Sequence, residues 1–107
     1  MKIIINNKEY DVKTCKNIFN RFKGFMFNKN IDKILCFPKC NSIHTFFMLQ
    51  SISVVMTDKN FNVLYIYNSI KPWKIVSPKK GVYYTFEFKE NSFTFHLNEK
   101  LNIKKNE

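Results

Sequence analysis

The sequence predicts a mainly-β, compact single domain, sandwich- or barrel-like, with one short N-terminal helix over about Cys15 to Lys23. Three observations carry that prediction. Short runs of β-branched and aromatic residues recur at a spacing of roughly 8–12 residues, divided by Asn, Asp, Pro and Gly turn signals. One segment alone shows an apolar stripe of helical period. A chain of 107 residues with 45% apolar content makes one domain, 1–107, with a small core.

The segment Lys2 to Lys13 reads as two strands around a turn at Asn6-Asn7-Lys8. Cys15, Ile18, Phe19 and Phe22 then fall at i, i+3, i+4 and i+7, which is one face of a helix. Thr14 suits its N-cap and Gly24 the position past its end. Beyond Gly24 the period becomes two. Ile34 to Phe37 is an apolar run closed by Pro38, and Ile43 to Gln50 reads as a strand with bulk on both faces. Ile52 to Met56 and Val63 to Tyr67 form a hairpin across Asp58 to Phe61. Loop signals follow at Lys71-Pro72-Trp73-Lys74 and Ser77 to Gly81. Val82, Tyr84, Phe86 and Phe88 alternate with Tyr83, Thr85, Glu87 and Lys89, the pattern of a half-buried strand, and Ser92 to Leu97 is expected to pair back on it through Glu90-Asn91. On this pattern Phe46, Phe47, Tyr84, Phe86 and Phe88 belong to the core.

The formal charge is +10, yet 17 of the 18 basic residues are Lys and only Arg21 is Arg. Phe, Tyr, Met, Ile, Asn and Lys are abundant, while Ala is absent and Gly is present twice. That is the signature of an A/T-rich genome, which explains the lysines without a partner. Sequence-specific nucleic-acid readers rely on the bidentate Arg fork, so at most weak, nonspecific nucleic-acid binding is expected. Three cysteines, Cys15, Cys36 and Cys40, form no disulfide framework and point to a reducing compartment. The N-terminus lacks the apolar region of a signal peptide, and no run approaches the roughly 18 residues that span a bilayer. The expectation is a cytoplasmic protein, monomer or weak homodimer, with no membrane partner.

Cys36, Cys40 and His44 are the most chemically suggestive group. A tetrahedral zinc site takes four ligands in paired units, and no second pair is present, so no metal is expected. Cys40 and His44 could act as nucleophile and base, but four residues of extended chain separate them by roughly 13 Å. Two glycines leave no phosphate loop, and no cofactor is expected.

Several blocks resemble one family in order and spacing. Arg21-Phe22-Lys23-Gly24-Phe25-Met26-Phe27 resembles its R-x-x-G-L-M-F opening. Cys40 to Met48 is similar to its C-N-S-I-H-T-F-F-M segment, in the form of Gram-positive bacterial members. Val54 to Asn60 resembles D-V-V-F-L-D-K-D-G. Lys71-Pro72-Trp73-Lys74, Pro78 and Tyr84 to Glu87 resemble the closing K-P-W-R, P and Y-V-L-E-L elements. On these blocks, residues 14–101 resemble the domain of unknown function 192 family. The resemblance implies a compact mainly-β fold with a short helix and no established reaction, cofactor or ligand. Ser53 stands where the family carries an acidic residue, so an activity needing that carboxylate would be lost here. The late G-D of the family is Asn98-Glu99, where Asn can still take a left-handed turn.

The residues together point to a binding module for a small polar or anionic ligand. Arg21 would clamp an anion, His44 would donate a hydrogen bond, Lys71 would add charge and Trp73 would offer a stacking face. The alternatives are a sequence-nonspecific nucleic-acid binder and, third, an enzyme using Cys40 or His44. Association with DNA or RNA is expected to be weak and to vanish near physiological ionic strength. A salt titration checks this, and tight binding that survives about 0.2 M salt overturns it.

Overall fold

The structure is a computed structural model that describes residues 1–16 and 31–105. β1 (Lys2–Ile5) and β2 (Lys8–Thr14) form the expected hairpin, with Ile5 opposite Lys8. Asn6 and Asn7 make its turn at φ 52° and 66°. A two-residue hairpin of this twist needs two successive positive φ values, and Asn tolerates them at least cost after glycine.

β3 (Ile34–Pro38) runs parallel to β2, and β8 (Tyr84–Lys89) runs antiparallel to β3. β5 (Ile52–Thr57) pairs with β8 and with β6 (Val63–Ile70), both antiparallel. β9 (Asn102–Lys104) flanks β1, giving a seven-stranded sheet in the order β6-β5-β8-β3-β2-β1-β9. The sheet curls until its two edges meet. Val63 N–H donates to the Glu99 carbonyl at 2.8 Å, Asn98 N–H to Val63 at 2.9 Å and Leu101 N–H to Phe61 at 2.9 Å. The start of one edge strand is thus bonded to the chain entering the other, which removes much of the exposed sheet edge. Asn98 holds φ 68° at this seam, the left-handed turn expected of it. β4 (Ile43–His44) and β7 (Ile75–Val76) form a separate two-stranded sheet.

Alternation sorts the core into two faces. Ile3, Val12, Ile34, Cys36, Val55, Val63, Phe86 and Phe88 fill the inside of the curl. Leu35, Phe37, Ile52, Val54 and Met56 face outward and are buried with Cys15, Ile31, Met48 and Ile70. Asp58 makes the β5–β6 turn. Its carboxylate accepts from the Asn62 side-chain amide at 3.0 Å and from the Asn60 and Asn62 backbone N–H groups, and these bonds, led by the Asn62 amide, hold its pKa below the ordinary carboxylate value.

The mainly-β fold is as expected, with three departures. Only Ile43 and His44 of the strand read over Ile43 to Gln50 are extended, because Thr45 ties the chain to the 71–74 turn instead of letting it run on. Ser92 to Leu97 forms no strand. Phe93 and Phe95 fold over the inner core, with ring centroids 5.7 and 5.1 Å from Phe88, and burial of those rings outweighs pairing with β8. β8 is covered on both faces rather than half-buried, since Thr85 and Glu87 are as inaccessible as Phe86 and Phe88. Cys15 and Lys16 lie in no helix, and the remainder of the helix expected to Lys23 is outside the described residues. Among the described residues no helix is long and apolar enough to cross a membrane.

Glu87 sits between Leu35 and Val54 on the outward face, and its Oε1 has no hydrogen-bond partner among the described residues. Burial pushes its pKa up to about 8. The folded chain therefore keeps a proton that the unfolded chain releases above the ordinary glutamate value. Stability is fully present below that value and falls as pH rises toward about 8, at up to roughly 1.4 kcal/mol per pH unit. Glu87→Gln should abolish this slope and leave the chain more stable than wild type at pH 8.5. Urea unfolding between pH 4.5 and 8.5 measures it, and parallel slopes for the two proteins would sink the assignment.

Candidate functional site

Thr45, 1% exposed, organises the two-stranded lobe. Its hydroxyl donates to the Lys71 carbonyl at 2.6 Å and accepts from Lys74 N–H at 2.9 Å. Its backbone N–H donates to the Lys74 carbonyl at 2.8 Å, and its carbonyl accepts from Trp73 N–H at 2.9 Å. One side chain thus sets the conformation of the whole 71–74 turn.

The turn places Trp73 outward, 59% exposed, at φ 66°. Phe47, 44% exposed, stands opposite at φ 62°. Their rings meet edge to face with centroids 4.7 Å apart. A left-handed backbone costs a non-glycine residue about 1–3 kcal/mol, and two aromatic residues in contact both carry it here. Phe46 bridges to His44, with its ring centroid 5.7 Å from Trp73 and 4.9 Å from His44. His44 Nδ1 accepts from Phe46 N–H at 3.2 Å, which puts the proton of the neutral imidazole on Nε2. Leu49 and Ile75 leave further apolar surface exposed. Together these residues form an aromatic ledge with Lys71 and Lys74 at its margin.

The structure therefore brings His44, Lys71 and Trp73 to one lobe, through Thr45. Arg21 lies outside the described residues. Phe46 and Phe47, assigned to the core by alternation, belong to the ledge instead. The period-two pattern fails at Thr45, where side-chain hydrogen bonds to a loop 26 residues away override strand propensity. No glycine or proline between Ile43 and Gln50 signals the break.

The cysteines are occupied structurally. Burial pushes Cys36 up to about 12 and also raises Cys15, so neither supplies thiolate near neutral pH. The Cys40 thiol donates to the Ser42 carbonyl at 3.1 Å. Ser53 has a structural task as well. Its hydroxyl donates to the Asn68 carbonyl at 2.6 Å and accepts from Asn91 N–H at 3.0 Å, next to an irregularity in the β5–β6 register. A carboxylate could accept from Asn91 but could not donate to Asn68.

The DUF192 family model, described as Uncharacterized ACR, matches residues 1–104. The chain belongs to this family. Its DUF192 relatives include a UPF0127 protein of Thermococcus sibiricus, 38% identical over 71% of this chain and 53% of that protein. A UPF0127 protein of Pyrococcus horikoshii is 37% identical over 74% of this chain and 72% of the relative. The chain spans about half the length of the Thermococcus relatives it matches. These relatives are archaeal, not the Gram-positive bacterial form expected from the Cys40–Met48 segment. The fold also matches the crystal structure of a protein of unknown function from Novosphingobium aromaticivorans, with TM-score 0.69 and 10% identity over 84% of this chain and 71% of that one.

Thr45→Val preserves shape but strands Lys74 N–H and the Lys71 carbonyl. It should cost about 1–3 kcal/mol in urea unfolding and shift the emission of Trp73, the chain's single tryptophan, toward the red. Unchanged emission and stability would mean that the turn is set by something other than Thr45.

Proposed function

We propose that this DUF192 chain is a binding module whose ledge takes a small polar or anionic ligand with a flat or CH-rich ring face. Trp73 and Phe47 supply the face, Lys71 the charge and His44 a hydrogen bond. Arg21 is the further anion ligand proposed from the sequence. The observation that carries the reading is the pairing of two exposed aromatic rings, each on a strained backbone, with the Trp73 turn anchored by buried Thr45. Strain held in place by surrounding hydrogen bonds is characteristic of ligand sites. Exposed aromatics are also costly to leave in water unless something covers them part of the time.

A specific observation also favours nonspecific nucleic-acid binding as the second reading. Exposed Trp73 and Phe47 beside Lys71 and Lys74 have the composition of a base-stacking surface. The two readings separate by ligand size and salt. A small ligand saturates the ledge at moderate salt, whereas a strand of nucleic acid is released steeply as salt rises.

Trp73 fluorescence reads the ledge directly. Titration with glucose 6-phosphate and with AMP should give a saturable change for at least one of them. Lys71→Ala or Phe47→Ala should weaken that binding about ten-fold, or about 1.4 kcal/mol. No saturable change from either compound up to about 10 mM would overturn the small-ligand reading.

A further inference from the structure

Strand direction gathers charge at one rim of the curled sheet. β2, β3 and β9 run the same way, because β3 is parallel to β2 while β2 and β9 are both antiparallel to β1. Their carboxyl ends therefore reach one rim, where β8, antiparallel to β3, begins. A cavity of about 690 Å³ lies there, lined by Thr14, Lys16, Lys39, Tyr83, Tyr84 and Lys105 among others. Lys16 follows the end of β2, Lys39 the end of β3 and Lys105 the end of β9. Among the described residues no carboxylate lines it.

The cavity wall is built rather than loose. Tyr83 N–H donates to the Thr57 carbonyl at 2.8 Å, and the Tyr83 carbonyl accepts from Cys40 N–H at 3.0 Å. Tyr83 and Tyr84 meet edge to face at 4.7 Å, and Tyr84 stacks on Phe61 at 4.5 Å. Lys105 Nζ lies 5.7 Å from the Phe61 ring centroid, and Lys59 Nζ lies 5.5 Å from that of Tyr83. Two residues of this group are held in left-handed backbone, Lys39 at φ 54° and Phe61 at φ 64°. Asp58, the nearby hairpin carboxylate, is turned to the Asn60 and Asn62 N–H groups and attracted by Lys100.

We propose that this cavity binds a small molecule carrying a diphosphate group. Three ammonium groups spread over one cavity match the roughly three negative charges of two adjoining phosphoryl groups at neutral pH. The Tyr83 and Tyr84 phenols and the Thr14 hydroxyl add hydrogen-bond donors to phosphoryl oxygens. The volume exceeds what a single phosphate fills and falls within the range of small-molecule sites, about 300–1,000 Å³. Genome bias explains why the chain is rich in lysine, but it does not explain why lysines 23 and 66 residues apart along the chain share one cavity.

This site is separate from the aromatic ledge, and calorimetry tests it independently. The probes are inorganic pyrophosphate and ADP, titrated into the whole chain at about 0.1 M salt. A dissociation constant below about 1 mM is expected for either probe, weakened at least five-fold by Lys39→Ala and by Lys105→Ala. Lys89→Ala, at the far end of β8, removes the same charge and should leave binding unchanged. The proposal is overturned if neither probe binds saturably, or if Lys89→Ala weakens binding as much as the cavity variants do.

Discussion

Burial of β8 on both faces is the constraint from which the rest of the structure follows. Phe86 and Phe88 project into the curl, and Thr85 and Glu87 project away from it, yet all four are almost wholly inaccessible. A strand in that position needs neighbours on both edges and cover on both sides. β3 and β5 supply the edges. The curling of the sheet supplies the inner cover, closed by Phe93 and Phe95 against Phe88. On the outer side Cys15, Ile31 and Met48, which lie outside the strands, pack with Ile70 of β6 against this face. Glu87 is the one costly element in this arrangement, and keeping it protonated is how the fold accommodates a carboxyl group in an apolar layer.

The two candidate sites sit at the margins of that core for the same reason. Chain that leaves a doubly covered sheet has to turn sharply, and in this chain only two glycines are available to ease the turning. Asparagine takes the place of glycine at Asn6, Asn7, Asn91 and Asn98, all with positive φ. Among the described residues the other left-handed non-glycine residues are Lys39, Phe47, Phe61 and Trp73. None of these has a side chain that favours the conformation, so tertiary contacts must hold each one. Phe47 and Trp73 form the ledge, Lys39 lines the cationic cavity, and buried Phe61 stacks on Tyr84 of its wall. Strain thus gathers at the margins of the core, at the ledge and beside the cationic cavity.

Much of the fold is legible along the chain because it depends on local pattern. The Asn6-Asn7 turn, the Asp58 turn and the apolar run Ile34 to Phe37 each follow from residues that are neighbours in sequence. The site is legible only in part. His44, Lys71 and Trp73 stand out by residue type, and the family blocks point to the same segments. Phe46 and Phe47 do not stand out, since aromatic residues in a β-rich run have the composition of a core strand whether or not the chain bends.

By itself, the sequence determined the mainly-β class, the hairpins at Asn6-Asn7 and at Asp58, the membership of Phe86 and Phe88 in the core and the family to which the chain belongs. Those properties rest on periodicity, turn chemistry and ordered motifs, which are local and additive along a chain. The tertiary structure alone decided that Thr45 ends β4, that Glu87 is buried, and that Lys16, Lys39 and Lys105 share one cavity. Each of these depends on strand direction or on a hydrogen bond between distant segments, such as the one from Thr45 to Lys71. Contacts of that kind are created by closing the sheet and have no counterpart in the spacing of residues along it.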